Sequence, residues 1–260
     1  MVLPKILKPY QVNKSNLLRI GPKKDGGYVI DKRIINQTKI LVTCGLNDDW
    51  EFEKDYINYN NQTKVLAFDH TIDKNFWVKR FKKDIIAFIK LKKLKPNKII
   101  DIFKYIDYKT FFNNKNIHIL KKIVSKKKNN KEITINEILK NLNNVLLKVD
   151  IEGDEYQILK EINKNSRRLN LLIIEFHKVS KNLEKIKKFI KSSKLKLIHI
   201  HGNNYTGLDS KNMPRVLELT FLNGKKFKLN NKRSNYSYPI NGLDYKNLKR
   251  KDDIKLSFHE

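Results

Sequence analysis

Two hydrophobic patterns alternate along the chain. Short apolar runs rich in β-branched residues fall at Lys39–Thr43, Lys64–Phe68, Asn116–Val124, Asn144–Val149, Asn170–Phe176, Lys194–Ile200 and Arg215–Leu222. Runs of that length and composition predict buried strands. Between them, apolar residues recur at three- and four-residue intervals. This spacing predicts helices over Asp48–Tyr59, Phe81–Leu94 (with Ile85, Ile86, Ile89 and Leu94 on the apolar side), Thr134–Leu142, Glu155–Ile162 and Lys181–Ser193. Strands that alternate with helices build βαβ units, so the expected fold is α/β, a mostly parallel sheet with helices on both faces. The last two runs have no helix between them, which predicts an antiparallel edge strand. No internal repeat is visible, and the chain reads as a single domain over 1–260. Residues 1–38 form an N-terminal extension that carries Asp25-Gly26-Gly27-Tyr28, a tight turn leading into a strand.

Composition sharpens this picture at a few points. No apolar run reaches the ~18 residues that a membrane span requires. The N-terminal residues lack a leader pattern, so the expectation is a soluble, cytoplasmic protein. The lone cysteine, Cys44, excludes an internal disulfide framework and a cysteine-based zinc site. Lys and Arg total 56 against 27 Asp and Glu, a formal net charge of +29. Such an excess suggests a nucleic-acid or anionic-membrane partner. Yet arginine, the better phosphate ligand, is scarce, and lysine is mixed with asparagine as in Lys126–Lys131. That mixture reads as solvated surface. A nucleic-acid-binding protein or RNA methyltransferase using Lys79–Lys98 and Lys121–Lys131 is the alternative reading, although aromatic stacking residues are not interleaved with the lysines. A peripheral membrane contact through the basic amphipathic segment Phe81–Leu94 is a third.

In open α/β sheets ligands bind beyond the carboxyl ends of the strands. Cys44-Gly45-Leu46-Asn47 follows the first predicted strand, Asp69-His70 the second and Asp150 with Glu152-Gly153 the fourth. Glu175 and His177 end the fifth, and His201, Gly202, Asn203 and Asn204 end the sixth. Gly45 would let the backbone approach a ligand. Asp69 lies 24 positions later (69 − 45), where an acid in a dinucleotide-type fold accepts hydrogen bonds from ribose. The phosphate-binding patterns G-x-G-x-x-G and G-x-x-x-x-G-K-[ST] are absent from the sequence. What remains is a ribose-bearing ligand with no phosphate to cradle. S-adenosylmethionine fits that description, and its sulfonium suits the acids Asp48, Asp49, Glu51 and Glu53. Asp154 and Glu155 read as acids at the start of the helix that follows.

The segment Thr134–Ile162, followed by Leu169–His177, resembles the core signature of the FkbM-like methyltransferases. The matching residues are Lys148, Asp150, Glu152, Gly153 and Glu155, with Glu175 ending the next strand. Arg19–Ile30, with its Asp-Gly-Gly-Tyr, and His199–Tyr205 resemble further segments of the same subgroup, and the likeness spans nearly the whole chain. The first glycine loop, "TCGLNDD", departs from the pattern in holding one glycine where several are common. The resemblance implies a Rossmann-like seven-stranded sheet, S-adenosylmethionine as methyl donor, and methyl transfer to a hydroxyl of a sugar, glycan or small metabolite. By the same resemblance, Cys44, Gly45, Leu46 and Asn47 would hold the methionine part and Asp69 and His70 the ribose side. Val124 and Ser125 would flank the adenine, and Asp150 would lie near the methyl and the acceptor. A hydroxyl acceptor must also lose a proton. The expected bases are Asp150, His177 and His201, with Glu175 beside them. A divalent cation held by Asp150, Glu175, His177, His201 and Asn203 is a further arrangement that these residue types allow but that the reading does not require.

Overall fold

A computed structural model describes residues 1–91, 96–229 and 231–259. Leu94 and part of the expected basic segments Lys79–Lys98 and Phe81–Leu94 lie outside the described residues. Seven strands form the central sheet: β1 (Ile40–Cys44), β2 (Lys64–Phe68), β3 (Ile117–Ile119), β4 (Val145–Val149), β5 (Leu169–His177), β6 (Lys196–Gly202) and β7 (Val216–Leu222). They lie in the order β6-β7-β5-β4-β1-β2-β3. β7 runs antiparallel to both β5 and β6, and the other pairings are parallel. The fold is therefore an α/β, Rossmann-like, mostly parallel sheet. Its antiparallel strand sits one place in from the edge, between β5 and β6.

The helices are α1 (Glu51–Tyr59), α2 (Lys74–Leu91), α3 (Pro96–Phe111), α4 (Ile135–Leu139), α5 (Glu155–Lys164) and α6 (Val179–Ser192). Thr134 caps α4 in a reciprocal capping box with Glu137, which satisfies two of the helix's free amides. α3 has no counterpart among the predicted helices, and α2 starts seven residues before the expected Phe81. The predicted third strand, Asn116–Val124, divides. Ile117–Ile119 joins the sheet, and Lys122–Ile123 pairs instead with Glu132–Ile133.

β4 is buried along its whole length, which is why it reads as an unbroken apolar run around Lys148. That lysine is neutralised by Glu53 of α1, 3.3 Å away, and Thr43 donates a second hydrogen bond to Glu53 at 2.7 Å. Residues 1–38 add Leu3, Leu7, Ile20 and Ile30 to the same apolar core as the sheet. Their hairpin, Leu17–Ile20 with Tyr28–Asp31, rests on β7, where Thr220 donates to the Val29 carbonyl at 2.8 Å. Among the described residues no helix is long and apolar enough to cross a membrane.

Candidate functional site

β1 and β4 are neighbours, yet the chain proceeds from β1 toward β2 and β3, and from β4 toward β5. A crevice opens at such a switch point, beyond the carboxyl ends of the strands. Gly45 and Asp150 meet there. The Asp150 amide donates to the Cys44 carbonyl at 2.8 Å, and the Gly45 amide to Phe68 at 2.9 Å. Gly45 has φ +83°, and a Cβ at this position would lie 1.6 Å from the Asp150 carbonyl oxygen. Glycine is thus demanded by the protein's own backbone. The room expected for a ligand at Gly45 is taken by the Asp150 peptide. Asn47, Glu152 and Lys178 also hold left-handed backbone conformations, at φ 50°, 53° and 52°. Strained residues at several adjoining loops are a mark of functional sites.

Two cavities adjoin this point. One, a cleft of about 360 Å³, is lined by Gly45, Asn47, Asp69, His70, Ile123 and Asp150, among others. The second is a cup of about 270 Å³ lined by Asp25, Tyr28, Leu46, Lys148, Asp150 and Glu175, together with Gly45 and Asn47. Cys44, Val124 and Ser125 lie outside both linings. Cys44 is fully buried, and burial pushes its thiol up to about 12, so it is inert. Ser125 donates to Gln157 at 3.5 Å, and Lys121, Lys122 and Ile123 form the cleft wall where Val124 and Ser125 were expected.

Asp69 is in the cleft, but its carboxylate is engaged. Oδ2 accepts from the amides of Leu46 (2.8 Å) and Asn47 (2.9 Å), and Oδ1 from the amide (2.7 Å) and hydroxyl (2.6 Å) of Thr71. Burial opposes its ionisation, and these four donors outweigh burial and hold its pKa below the usual value. Asp69 fixes the loop after β1. His70, beside it, is exposed on the cleft rim.

The acids after β4 surround His177. Its Nδ1 lies 2.6 Å from Glu155 Oε1, and its Nε2 is 3.4 Å from Glu152 and 3.8 Å from Asp150 Oδ1. Glu155 is fully buried and also accepts from the Gly153 amide at 3.0 Å. Glu155 lies in the first turn of α5, as its helix-start reading expects, and in addition it anchors the histidine. Asp154 keeps a surface role and pairs with Lys122 at 3.3 Å. Burial disfavours charge on His177, but Glu155, Asp150 and Glu152 prevail and raise its pKa. Asp150 is half-buried. Burial lifts its carboxyl to about 6 against the pull of Lys148 and His177, with Glu152 and Glu155 adding to the rise. Its Oδ1 is buried without a hydrogen-bond partner.

A row of polar side chains crosses the sheet beyond this cluster, because Glu175 of β5 is in register with Glu218 of β7, and Glu218 with His201 of β6. Two adjacent glutamates repel. Burial, Asp150 and Glu218 push Glu175 well above the usual carboxyl range, and the Tyr28 hydroxyl donates to it at 2.5 Å. Glu218 is compensated by His201 (3.0 Å), Asn203 (3.1 Å) and Asn247 (2.6 Å). The same two amides hold Asp25 at the cup. His201, expected as a base or metal ligand, is instead buried between Glu218 and Asp253, both ring nitrogens occupied at 3.0 Å. Its pKa is raised well above normal, since the two carboxylates outweigh its burial. Asp150, Glu175 and His177 bring one ligating atom each within 4.8 Å of one another, and that set excludes His201. The residues that sequence reasoning left without a role are Tyr28 and Glu218. Only the Asp-Gly-Gly-Tyr turn gave a signal for the first.

No family model matches the sequence, and no curated protein matches it. Among solved structures the chain is similar to a methyltransferase FkbM from Methylobacillus flagellatus KT, with 13% identity, 70% of this chain and 44% of that one covered, and a TM-score of 0.38. It is also similar to a precorrin-6y C5,15-methyltransferase from Geobacter metallireducens GS-15, with 11% identity, 73% and 85% coverage and a TM-score of 0.37. A third is M. jannaschii TYW2 in complex with AdoMet, with 13% identity, 82% and 89% coverage and a TM-score of 0.34.

Proposed function

We propose that residues 1–260 act as one catalytic unit, an S-adenosylmethionine-dependent methyltransferase that modifies a hydroxyl oxygen on a sugar, glycan or small metabolite, as the resemblance to the FkbM-like family implies. The observation that carries this reading is the pair of cavities meeting at Gly45 and Asp150, on the switch point of the sheet. The cleft has the size of a ligand site, whose usual range begins near ~300 Å³. It suits the donor, because Asp150 and Glu152 line it and carboxylates favour a sulfonium cation. Asn47, His70 and Ile123 would hold the donor, with Gly45 letting the two loops close the cleft wall and Asp150 at the donor's reactive end. Ribose would meet Asp69 only by replacing Thr71 as its partner. When bound, the donor supplies an electrophilic methyl group.

The cup would hold the acceptor. Glu175, kept toward its neutral form, has a proton to offer an acceptor oxygen, and Tyr28 fixes its orientation. Asp150, with a pKa of about 6, is matched to take a hydroxyl proton near neutral pH. His177, steered by Glu155, stands 3.8 Å behind it to stabilise the charge. This assigns the base to Asp150 and gives His201 a structural role. Calorimetric binding of S-adenosylmethionine and S-adenosylhomocysteine tests the reading, and binding of neither would refute it.

A further inference from the structure

A third cavity lies outside both the cleft and the cup. It is a groove of about 750 Å³ between α2 and α3, whose walls include Trp77, Val78, Phe81, Tyr105, Ile106 and Leu120. Large apolar side chains on the surface concentrate here. Phe81 is 56% exposed, Phe103 57% and Ile106 57%, and Val78, Ile86 and Leu120 are exposed beside them. Val78 and Phe81 stand one turn apart on α2, and Phe103 and Ile106 one turn apart on α3. Both helices therefore present apolar side chains outward as well as toward the groove. A contiguous apolar surface of this kind marks an interaction site.

The charge around the groove defines its partner. Lys74, Lys82 and Lys109 line it and are exposed, and Lys79 is exposed on α2 between Val78 and Phe81. Among the described residues, two acids at these helices, Asp73 and Asp107, are engaged by neighbouring groups. Asp73 accepts from the Phe76 amide at 2.8 Å, and Asp107 takes the Trp50 indole and the Lys54 ammonium. Arg80, the side chain best suited to nucleic-acid phosphates, is bound to Asp48. What faces outward is aliphatic and aromatic surface rimmed by lysines. Those side chains can place their stems along an apolar layer and their ammonium groups among anionic headgroups.

The geometry points to a docking surface for an anionic lipid bilayer, with α2 and α3 lying in the interface and an acyl chain entering the groove. The groove and the donor cleft are lined by consecutive residues at two points of the chain. Ile72 and Leu120 line the groove, and their neighbours Thr71 and Lys121 line the cleft. Docking would thus bring the site to the membrane surface. The inference stands apart from methyl transfer, because it is read without any turnover.

Vesicle flotation near physiological salt tests it. The protein is expected to float with phosphatidylglycerol-phosphatidylcholine vesicles and to stay behind with phosphatidylcholine alone. The variant Phe81→Asp/Ile106→Asp should lose about tenfold or more of its binding, since two inserted apolar side chains are removed. Its melting temperature, equal to wild type, would show that it folds. Lys79→Glu/Lys82→Glu, which leaves the apolar surface intact, should bind the anionic vesicles more weakly as well. Acyl-brominated phosphatidylglycerol should quench the fluorescence of Trp77, and Trp77→Phe should remove that quenching while still floating. The inference is overturned if the wild type does not float, or if it floats equally on neutral vesicles. It is also overturned if the aspartate variant binds like wild type, if Trp77 is not quenched, or if single-stranded RNA binds the same face and is lost with the same variant.

Discussion

Replacing Gly45 by alanine tests whether the close approach of two loops holds the site together. The added Cβ would sit 1.6 Å from the Asp150 carbonyl oxygen, in a backbone with φ +83°. The left-handed conformation alone costs an alanine roughly 1–2 kcal/mol. Relieving the overlap requires the Asp150 peptide to move by more than an ångström, which breaks its 2.8 Å hydrogen bond to Cys44. That adds about 1 kcal/mol for the bond and about 1–3 kcal/mol for overpacking. The sum, about 3–6 kcal/mol, should lower the melting temperature by roughly 6–24 °C at ~2–4 °C per kcal/mol in a chain of this size. Gly242→Ala supplies the control. Gly242 has φ +83° too, with nothing within 4 Å of its added Cβ. It should show only the conformational cost, ~2–8 °C by the same conversion. Thermal melts of both variants, with calorimetry of donor binding, separate strain from collision. If Gly45→Ala melts with Gly242→Ala and binds S-adenosylmethionine like wild type, the account of the crevice is wrong.

Asp150→Asn should reduce methyl transfer about a hundredfold or more, as expected for loss of a general base. The same variant should melt higher than wild type above pH 6. The folded pKa of about 6 is above the unfolded value, so wild type loses stability as pH rises through 6 and the amide does not. His177→Gln should show the complementary profile. The folded pKa of His177 is raised, so its pairing with Glu155 stabilises fully below the ordinary histidine value and fades as pH rises through the folded one. The melting deficit of the variant should therefore be larger at pH 6 than at pH 8.5. Lys148→Met should destabilise by about 3–5 kcal/mol in denaturant titration, because it leaves the buried Glu53 unpaired. Turnover that survives a strong chelator would show that Asp150, Glu175 and His177 work without a metal ion.

Much of the fold is legible because its signals are local. β1, β2, β4, β5, β6 and β7 all lie where short apolar runs mark them, and the order strand–helix–strand dictates parallel pairing. The failures also have local causes. In Asn116–Val124 the apolar pattern continues through Leu120, but the chain leaves the sheet after Ile119 and Ile123 pairs with Ile133. α3 was announced by Pro96 at its first position and by Phe103 and Ile106 one turn apart. The site is another matter. Tyr28 and Glu175 are 147 positions apart, and His201 and Asp253 are 52 apart. A single sequence carries no trace of such pairings. His177 and His201 both end strands and look alike in sequence. Only their surroundings, a cleft-edge acid cluster for one and a sealed clamp for the other, set their roles apart.

The concentration of acid after β4 in a chain of net charge +29 follows from the different reach of buried and exposed charges. At physiological salt, exposed lysines are screened beyond about 8 Å, whereas buried or half-buried groups are screened much less. Asp150, Glu155 and Glu175 therefore respond mainly to Lys148, His177 and one another. Burial first, and then their crowding, raises the pKa of Asp150 and Glu175 and favours a positively charged ligand or a hydroxyl donor beside them. The exposed lysines Lys74, Lys79, Lys82 and Lys109 act on a different partner, through a surface where Asp73 and Asp107 are engaged by neighbouring groups. Added salt should accordingly weaken vesicle binding steeply and leave donor binding in the cleft nearly unchanged. A parallel loss of both would mean that the surface charge, and not the buried acid, sets what the site accepts.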